Sequence, residues 1–127
     1  MQIEAISTRA APAAIGTYSQ AIKAGETVYI SGQIPLDPAT GLLIEGTFQE
    51  RVRQVFNNLA AIAGAANLSL SDTVKITVFL LDLGKFSELN EEMARHFKAP
   101  YPARAAVQVS ALPRGTDVEI DAILVRR

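Results

Sequence analysis

The chain has 127 residues, of which 49% are hydrophobic and 20% are charged, and this composition excludes a disordered or low-complexity protein. With 12 basic and 13 acidic residues, the net charge of -1 provides no general attraction for nucleic acid or for an anionic membrane. The absence of cysteine and the single histidine, His96, exclude cysteine-based zinc sites, thiolate nucleophiles and multi-histidine metal sites within one chain. We therefore expect a single domain over residues 1–127, with no metal and no cofactor.

Residues 1–14 lack the basic start and the apolar run of a secretory signal. No stretch of the sequence is long and apolar enough to predict a membrane-spanning helix. We therefore expect a cytoplasmic protein without a membrane partner.

The first third of the chain predicts three short strands and a long loop. Strands are favoured over residues 3–6, 19–24 and 27–34, and Gly25 with Glu26 supplies a hairpin turn between the second and the third. The prolines and glycines of residues 35–46 indicate an ordered loop that contains turns.

Two amphipathic helices are predicted after this loop. Apolar residues recur at spacings of three and four over residues 48–66, and Thr47 with Glu50 forms a capping-box pattern at the start. A second helix is predicted over about residues 85–97, where the buried stripe is expected to consist of Phe86, Leu89, Met93 and Phe97. Pro100 and Pro102 are expected to end it.

Three further strands are predicted over residues 73–81, 103–109 and 118–125, and the turn at residues 113–115 joins the last two. The element order is therefore βββαβαββ, an α+β chain. Two helices cannot cover both faces of a sheet of about six strands, so both are expected on one face.

Alternation along each strand predicts which side chains face the helices. In the last strand the helix-facing set is Val118, Ile120, Ala122 and Leu124. The other helix-facing sets are predicted to be Val28, Ile30, Gly32 and Ile34; Val74, Ile76, Val78 and Leu80; and Ala105, Val107 and Val109. Arg104, Glu119 and Ser31 then share the opposite face, and because apolar side chains lie there too, we expect subunits to associate through it.

Arg104 and Glu119 form the sharpest candidate site, since they lie fifteen residues apart on strands expected to be neighbours. A guanidinium binds a carboxylate through two parallel hydrogen bonds, and a nearby glutamate can orient water or stabilise positive charge. The pair therefore suits a small zwitterionic substrate. An ordinary cross-strand ion pair is the alternative interpretation.

Weaker candidates are the polar residues Tyr18, Ser31, Gly32 and Asn90, which could hold a polar ligand from loops, strand ends or a helix surface. Turns and solvated helix faces use the same residue types for structural reasons. His96 does not indicate a serine triad, because the chain has no G-x-S-x-G motif and a positive imidazole suits a helix end.

Several separated motifs occur in an order typical of one protein family. They are PARAAVQVSALP at residues 102–113, VEI at 118–120, APAAIG at 11–16, YSQA at 18–21, SGQIPLD at 31–37, NNL at 57–59, VK at 74–75 and NE at 90–91. In these motifs the chain resembles the RidA family, also called YjgF/YER057c/UK114. Many members have cysteine where this chain has Ala106, and proline where it has Thr17 in the loop that presents Tyr18.

The resemblance implies a chorismate-mutase-like α+β fold, with a six-stranded mixed sheet, assembled as a homotrimer with ligand sites at the subunit clefts. It also implies hydrolysis of reactive enamines and imines, such as 2-aminoacrylate and 2-iminopropionate, to 2-keto acids and ammonia without a cofactor. By position, Arg104 would bind the substrate carboxylate and Glu119 would hold the attacking water. The cleft would be lined by Tyr18, Ser31, Gly32 and Asn90.

Two other functions would use these residues differently. A regulator that senses 2-keto acids would need the Arg104 clamp but not catalysis by Glu119. RNA cleavage linked to translation inhibition has been proposed for relatives, and the slightly acidic chain with few basic clusters argues against nucleic acid as a partner.

Overall fold

The computed structural model describes residues 2–127 and contains the elements in the predicted order βββαβαββ. The strands are β1 (Ile3–Ile6), β2 (Ala21–Ala24), β3 (Thr27–Gln33), β4 (Thr73–Leu80), β5 (Ala103–Gln108) and β6 (Val118–Val125), and the helices are α1 (Phe48–Ala65) and α2 (Phe86–Met93). Among the described residues, no helix combines the length and the apolar character that crossing a membrane requires.

The six strands form one mixed sheet in the order β1-β2-β3-β6-β4-β5, which confirms the predicted fold class. All neighbours are antiparallel except β4 and β5, because the connection through α2 returns the chain in the same direction. The expected pairing of β5 with β6 is wrong: β6 pairs with β3 and β4, so β4 lies between them and β5 is an edge strand.

Both helices lie on one face of the sheet, as predicted, and bury the helix-facing side chains of the central strands. The capping box at the start of α1 is present, since the Glu50 amide donates to Thr47 Oγ1 and the Thr47 amide donates to Glu50 Oε1, each over 3.1 Å. The core consists mainly of Val28, Ile30, Val52, Phe56, Leu59, Ile62, Ile76, Val78, Leu80, Ile120 and Leu124.

Two irregularities change the predicted faces of β3 and β4. The register of β3 against β6 shifts between Ile30 and Gln33, so Gln33 is buried and Gly32 is exposed, the reverse of strict alternation. The register of β4 shifts between Thr73 and Lys75, and Val74 is therefore 47% exposed rather than in the core. At each shift, β3 or β4 has one residue more than the facing segment of β6, so the alternation of buried and exposed side chains is inverted beyond that point.

Helix α2 is shorter than the predicted segment of residues 85–97. It ends at Met93, after which the amides of Arg95 and His96 donate to the carbonyls of Glu92 and Met93 and tighten the chain. Phe97 still packs on the core, 5.3 Å from the Phe56 ring centre. The prolines therefore lie beyond the helix end and do not cause it.

The second face of the sheet carries no helix among the described residues, and we call it the open face. Its side chains include Tyr29, Phe79, Val107, Ile123 and Val125, all partly or fully exposed. As predicted, Glu119 shares this face with apolar side chains, but Arg104, which was expected on it, does not.

Candidate functional site

Glu119 lies on the open face, where its carboxyl group packs directly over the backbone of Gly32. A Cβ atom built on Gly32 would lie 2.9 Å from Cδ and 3.1 Å from Cγ of Glu119, and still closer to Oε2. Any larger residue at position 32 would therefore displace the carboxyl group. The contact between Gly32 and Glu119 exists because the register shift in β3 turns Gly32 away from the core and towards the open face.

The electrostatic surroundings of Glu119 make its carboxylate a better proton acceptor than an ordinary glutamate. Burial raises the pKa of the Glu119 carboxyl above its usual value, and the negative charge of Asp121 raises it further. Among the described residues, no Lys, Arg or His forms an ion pair with Glu119. Within a single chain, Arg104 is therefore not a source of charge that lowers this pKa.

Ser31 connects this part of the sheet to the loop that carries Tyr18. The Ser31 hydroxyl donates to the carbonyl of Ser19 over 2.6 Å, and the Ser31 amide donates to the carbonyl of Gln20 over 2.9 Å. Tyr18 is 53% exposed, and its hydroxyl accepts a hydrogen bond from the Ile15 amide. The structure thus sets Gly32 against Glu119 and ties the adjacent Ser31 to the loop of Tyr18. We call these four of the six predicted site residues the Glu119 group: Tyr18, Ser31, Gly32 and Glu119.

A buried glutamine that the sequence interpretation missed holds the Tyr18 loop. The Gln20 side chain accepts from the Thr8 amide over 2.7 Å and donates to the carbonyls of Thr8 and Pro12 over 3.0 and 2.8 Å. Only the YSQA motif could have drawn attention to it, because its partners come from a loop without regular periodicity.

Arg104 and Asn90 form a second group, which we call the Arg104 group. Arg104 Nη1 donates to Asn90 Oδ1 over 2.6 Å, and the guanidinium lies 5.7 Å from the centre of the Phe86 ring. Asn90, which the resemblance implies as a residue lining the cleft, is thus in direct contact with Arg104. A cavity of about 520 Å³ opens here, lined by Asn90, Met93, Ala94, Tyr101, Pro102 and Arg104.

The two groups lie on opposite faces of the sheet, so the predicted surface shared by Arg104, Glu119 and Ser31 is wrong. Arg104 is in register with the buried Ile76, on the helix side, whereas Glu119 is in register with Phe79 on the open face. The predicted alternation of β5 is inverted as a whole. Ala106 packs against the core, while Ala105 and Val107 are exposed.

The inversion has a physical reason. Strand β5 has a neighbour on one side only, and its apolar residues are small or exposed, so they do not decide which side is buried. The contacts of Arg104 with Asn90 and Met93 of α2 decide instead which side of β5 faces the helices. An arginine can do this because its stem covers apolar surface while its charged group reaches polar partners.

A buried carboxylate between α1 and α2 also escaped the sequence interpretation. Glu92 is fully buried and receives hydrogen bonds from Arg53 Nε over 3.0 Å and from Gln49, while His96 Nε2 lies 2.7 Å from its Oε2. Burial alone would raise the pKa of Glu92, but the hydrogen bonds from Arg53, His96 and Gln49 outweigh it and lower the pKa to about 2. His96 thus contacts the buried Glu92 carboxylate, and its four-residue spacing from Glu92 was the available signal.

Comparison with known proteins identifies relatives along almost the whole chain. The model of a family described as endoribonuclease L-PSP matches residues 8–126. The 2-iminobutanoate/2-iminopropanoate deaminase of Mus musculus is 50% identical over 121 residues, which cover 95% of this chain and 90% of the relative. Two similar crystal structures are RidA from an Antarctic Psychrobacter (55% identity, TM-score 0.93, 97% and 99% covered) and E. coli TdcF with bound serine (42%, 0.91, 98% and 99%).

Proposed function

Because this chain belongs to the RidA family, we propose that it is a hydrolytic deaminase of reactive enamines and imines of the 2-aminoacrylate and 2-iminopropionate type. Its products are 2-keto acids and ammonia. The observation that carries the proposal is Glu119, a partly buried carboxyl group with a raised pKa that is held against Gly32 at an exposed sheet face.

The proposed reaction adds water to the C=N carbon of an imino acid whose carboxylate is bound by Arg104. Glu119 removes a proton from the water as its oxygen bonds to carbon, and the electron pair of the C=N bond moves to nitrogen. Glu119 then returns this proton to the nitrogen, which gives an intermediate with a hydroxyl and an amino group on the same carbon. Glu119 next carries the hydroxyl proton to the amino nitrogen, the C–N bond breaks, and ammonia leaves as the C=O bond forms. The water supplies the keto oxygen, and no electron donor or acceptor is needed.

One protomer alone cannot bring Arg104 and Glu119 to the same small substrate, since they lie on opposite faces of its sheet. We therefore place the substrate between protomers of a homotrimer, with the Arg104 group of one protomer facing the Glu119 group of its neighbour. The exposed edge strand β5 and the apolar open face support this assembly, because both offer surface that a second copy can bury.

RNA cleavage, which the family description suggests, has less support from the surface. Arg51 donates to both carboxylate oxygens of Asp117, and Arg53 does the same to Glu92, so this basic pair is neutralised within the chain. The net charge of -1 also gives no broad attraction for a phosphate backbone. Keto-acid sensing would use the same Arg104 group without turnover.

A coupled assay with threonine dehydratase tests the proposed activity. We expect the protein to accelerate release of 2-keto acid from the imine that the dehydratase liberates. Unchanged release together with measurable binding of a 2-keto acid would replace the deaminase by a sensor. Unchanged release without binding would overturn both.

Mixing of inactive variants tests the site between protomers. Glu119→Gln and Arg104→Ala are each expected to be nearly inactive at low substrate concentration. In hybrids refolded from equal amounts of the two, about one quarter of the sites would combine an intact Arg104 with an intact Glu119 from different protomers. Recovery of about that share of wild-type activity supports the assembly, and a silent mixture contradicts it.

A further inference from the structure

We propose that Asp121 acts on the reaction through Glu119, as a second carboxylate whose negative charge strengthens Glu119 as a general base. This role rests on the proposed function. Asp121 would act only through Glu119, because nothing in the mechanism requires Asp121 to touch the substrate.

The geometry of β6 places the two carboxylates side by side. Glu119 and Asp121 are two positions apart on one strand, so both side chains leave the sheet on the open face, with about 6.6 Å between their Cα atoms. Both are partly buried, and neither forms an ion pair with another described residue. Two carboxylates at this spacing on one sheet face repel each other, so the charge of one disfavours loss of the proton from the other.

The neighbours of the pair make Asp121 the better candidate for the permanent charge. Thr77 lies in register with Asp121, and Lys75 lies one pleat away on the same face of β4. Burial raises the pKa of Asp121, whereas Thr77 and the charge of Lys75 oppose that change, and nothing comparable opposes it at Glu119. The remaining titratable group on the adjoining strands of this face is Tyr29 of β3, and in the proposed trimer the neighbouring Arg104 would face Glu119.

The consequence for the reaction is a Glu119 that accepts a proton from water more readily. An ordinary glutamate is a weak base at neutral pH, and a like charge nearby makes its protonated form easier to reach. The same negative charge also favours the protonated, electrophilic form of the imine.

Carbon-13 NMR titration of the glutamate side chains tests the coupling in the assembled protein, with the Glu119 signal identified by its loss in Glu119→Gln. In Asp121→Asn, we expect the Glu119 midpoint to fall by about half to one pH unit. Asp121→Glu keeps the charge and should keep the midpoint. Glu4→Gln, which removes one negative charge from the distant edge strand β1, is the matched control and should leave the midpoint unchanged.

The pH dependence of kcat/KM separates this inference from the proposed function. In an active enzyme, the acid limb of the profile should move to lower pH in Asp121→Asn by the same amount as the NMR midpoint. An active wild type in which neither quantity moves overturns the role of Asp121 and leaves the deaminase assignment intact. A wild type without deaminase activity overturns the proposed function, while the NMR midpoint still decides whether Asp121 controls the charge of Glu119.

Discussion

Two buried or partly buried glutamates of this chain have opposite surroundings. Glu92 lies between the helices, fully buried, with Arg53, Arg95 and His96 around its carboxylate and a pKa lowered to about 2. Glu119 lies on the open face, where no described residue forms an ion pair with it, and burial and the charge of Asp121 raise its pKa. The first carboxylate is held in its charged form for stability, whereas the second is kept ready to exchange a proton.

The contrast shows that burial of a carboxyl group does not by itself indicate catalysis. Several hydrogen-bond donors surround Glu92 and consume its acceptor capacity, which leaves no position for a ligand. The carboxyl group of Glu119 packs on the Gly32 backbone, and that contact fixes its place without using its oxygens in an ion pair. Loss of the first should therefore affect folding, and loss of the second should affect turnover.

The largest effect is expected for Glu119→Gln in the imine hydrolysis assay. Without a proton acceptor, kcat should fall by about 100-fold or more. The free energy of unfolding at pH 7 should not decrease, because a carboxyl group with a raised pKa favours folding at acid pH and loses that contribution as the pH rises above its unfolded-state value. Wild-type turnover by Glu119→Gln would remove the basis of the proposed mechanism.

Glu92→Gln tests the structural role of the buried glutamate. This substitution should lower the free energy of unfolding by about 3 kcal/mol at pH 7. The lowered pKa stabilises the fold above pH 4.5, and this contribution disappears as the pH falls from 4.5 towards about 2. Urea denaturation of both proteins should therefore show curves that converge over that interval. A constant difference between pH 7 and pH 2 would contradict the assigned charge on Glu92.

The smallest effects are expected for a matched pair of glycine substitutions. Gly32→Ala places a methyl group against the Glu119 carboxyl, so activity should fall several-fold in the deaminase assay. Gly64→Ala adds the same methyl group on α1, where it would meet no atom within 4 Å apart from its chain neighbours and the backbone of the helix. This substitution should raise the free energy of unfolding by up to about 1 kcal/mol. Equal activity of the two variants would show that the position of Glu119 does not depend on Gly32.

Local patterns predicted most of the fold but only part of the site. The capping box at Thr47, the element order and the helix-facing set of β6 are confirmed because each depends on residues close in sequence. The residues of the Glu119 group lie on β3, on β6 and in a loop tied to β3, and their role in a site stays a prediction. Gln20 and Glu92 were missed because their partners come from distant segments without a periodic pattern.

The amino-acid order was sufficient to predict which segments form strands and helices, and it named the candidate site residues. It was insufficient to establish which strands are neighbours and which side of β5 is buried. Alternation along a strand separates two sets of side chains, but only the register against the adjacent strand decides which set meets the helices. The pairing of Arg104 with Ile76 made that decision, and it moved the guanidinium to the face opposite Glu119.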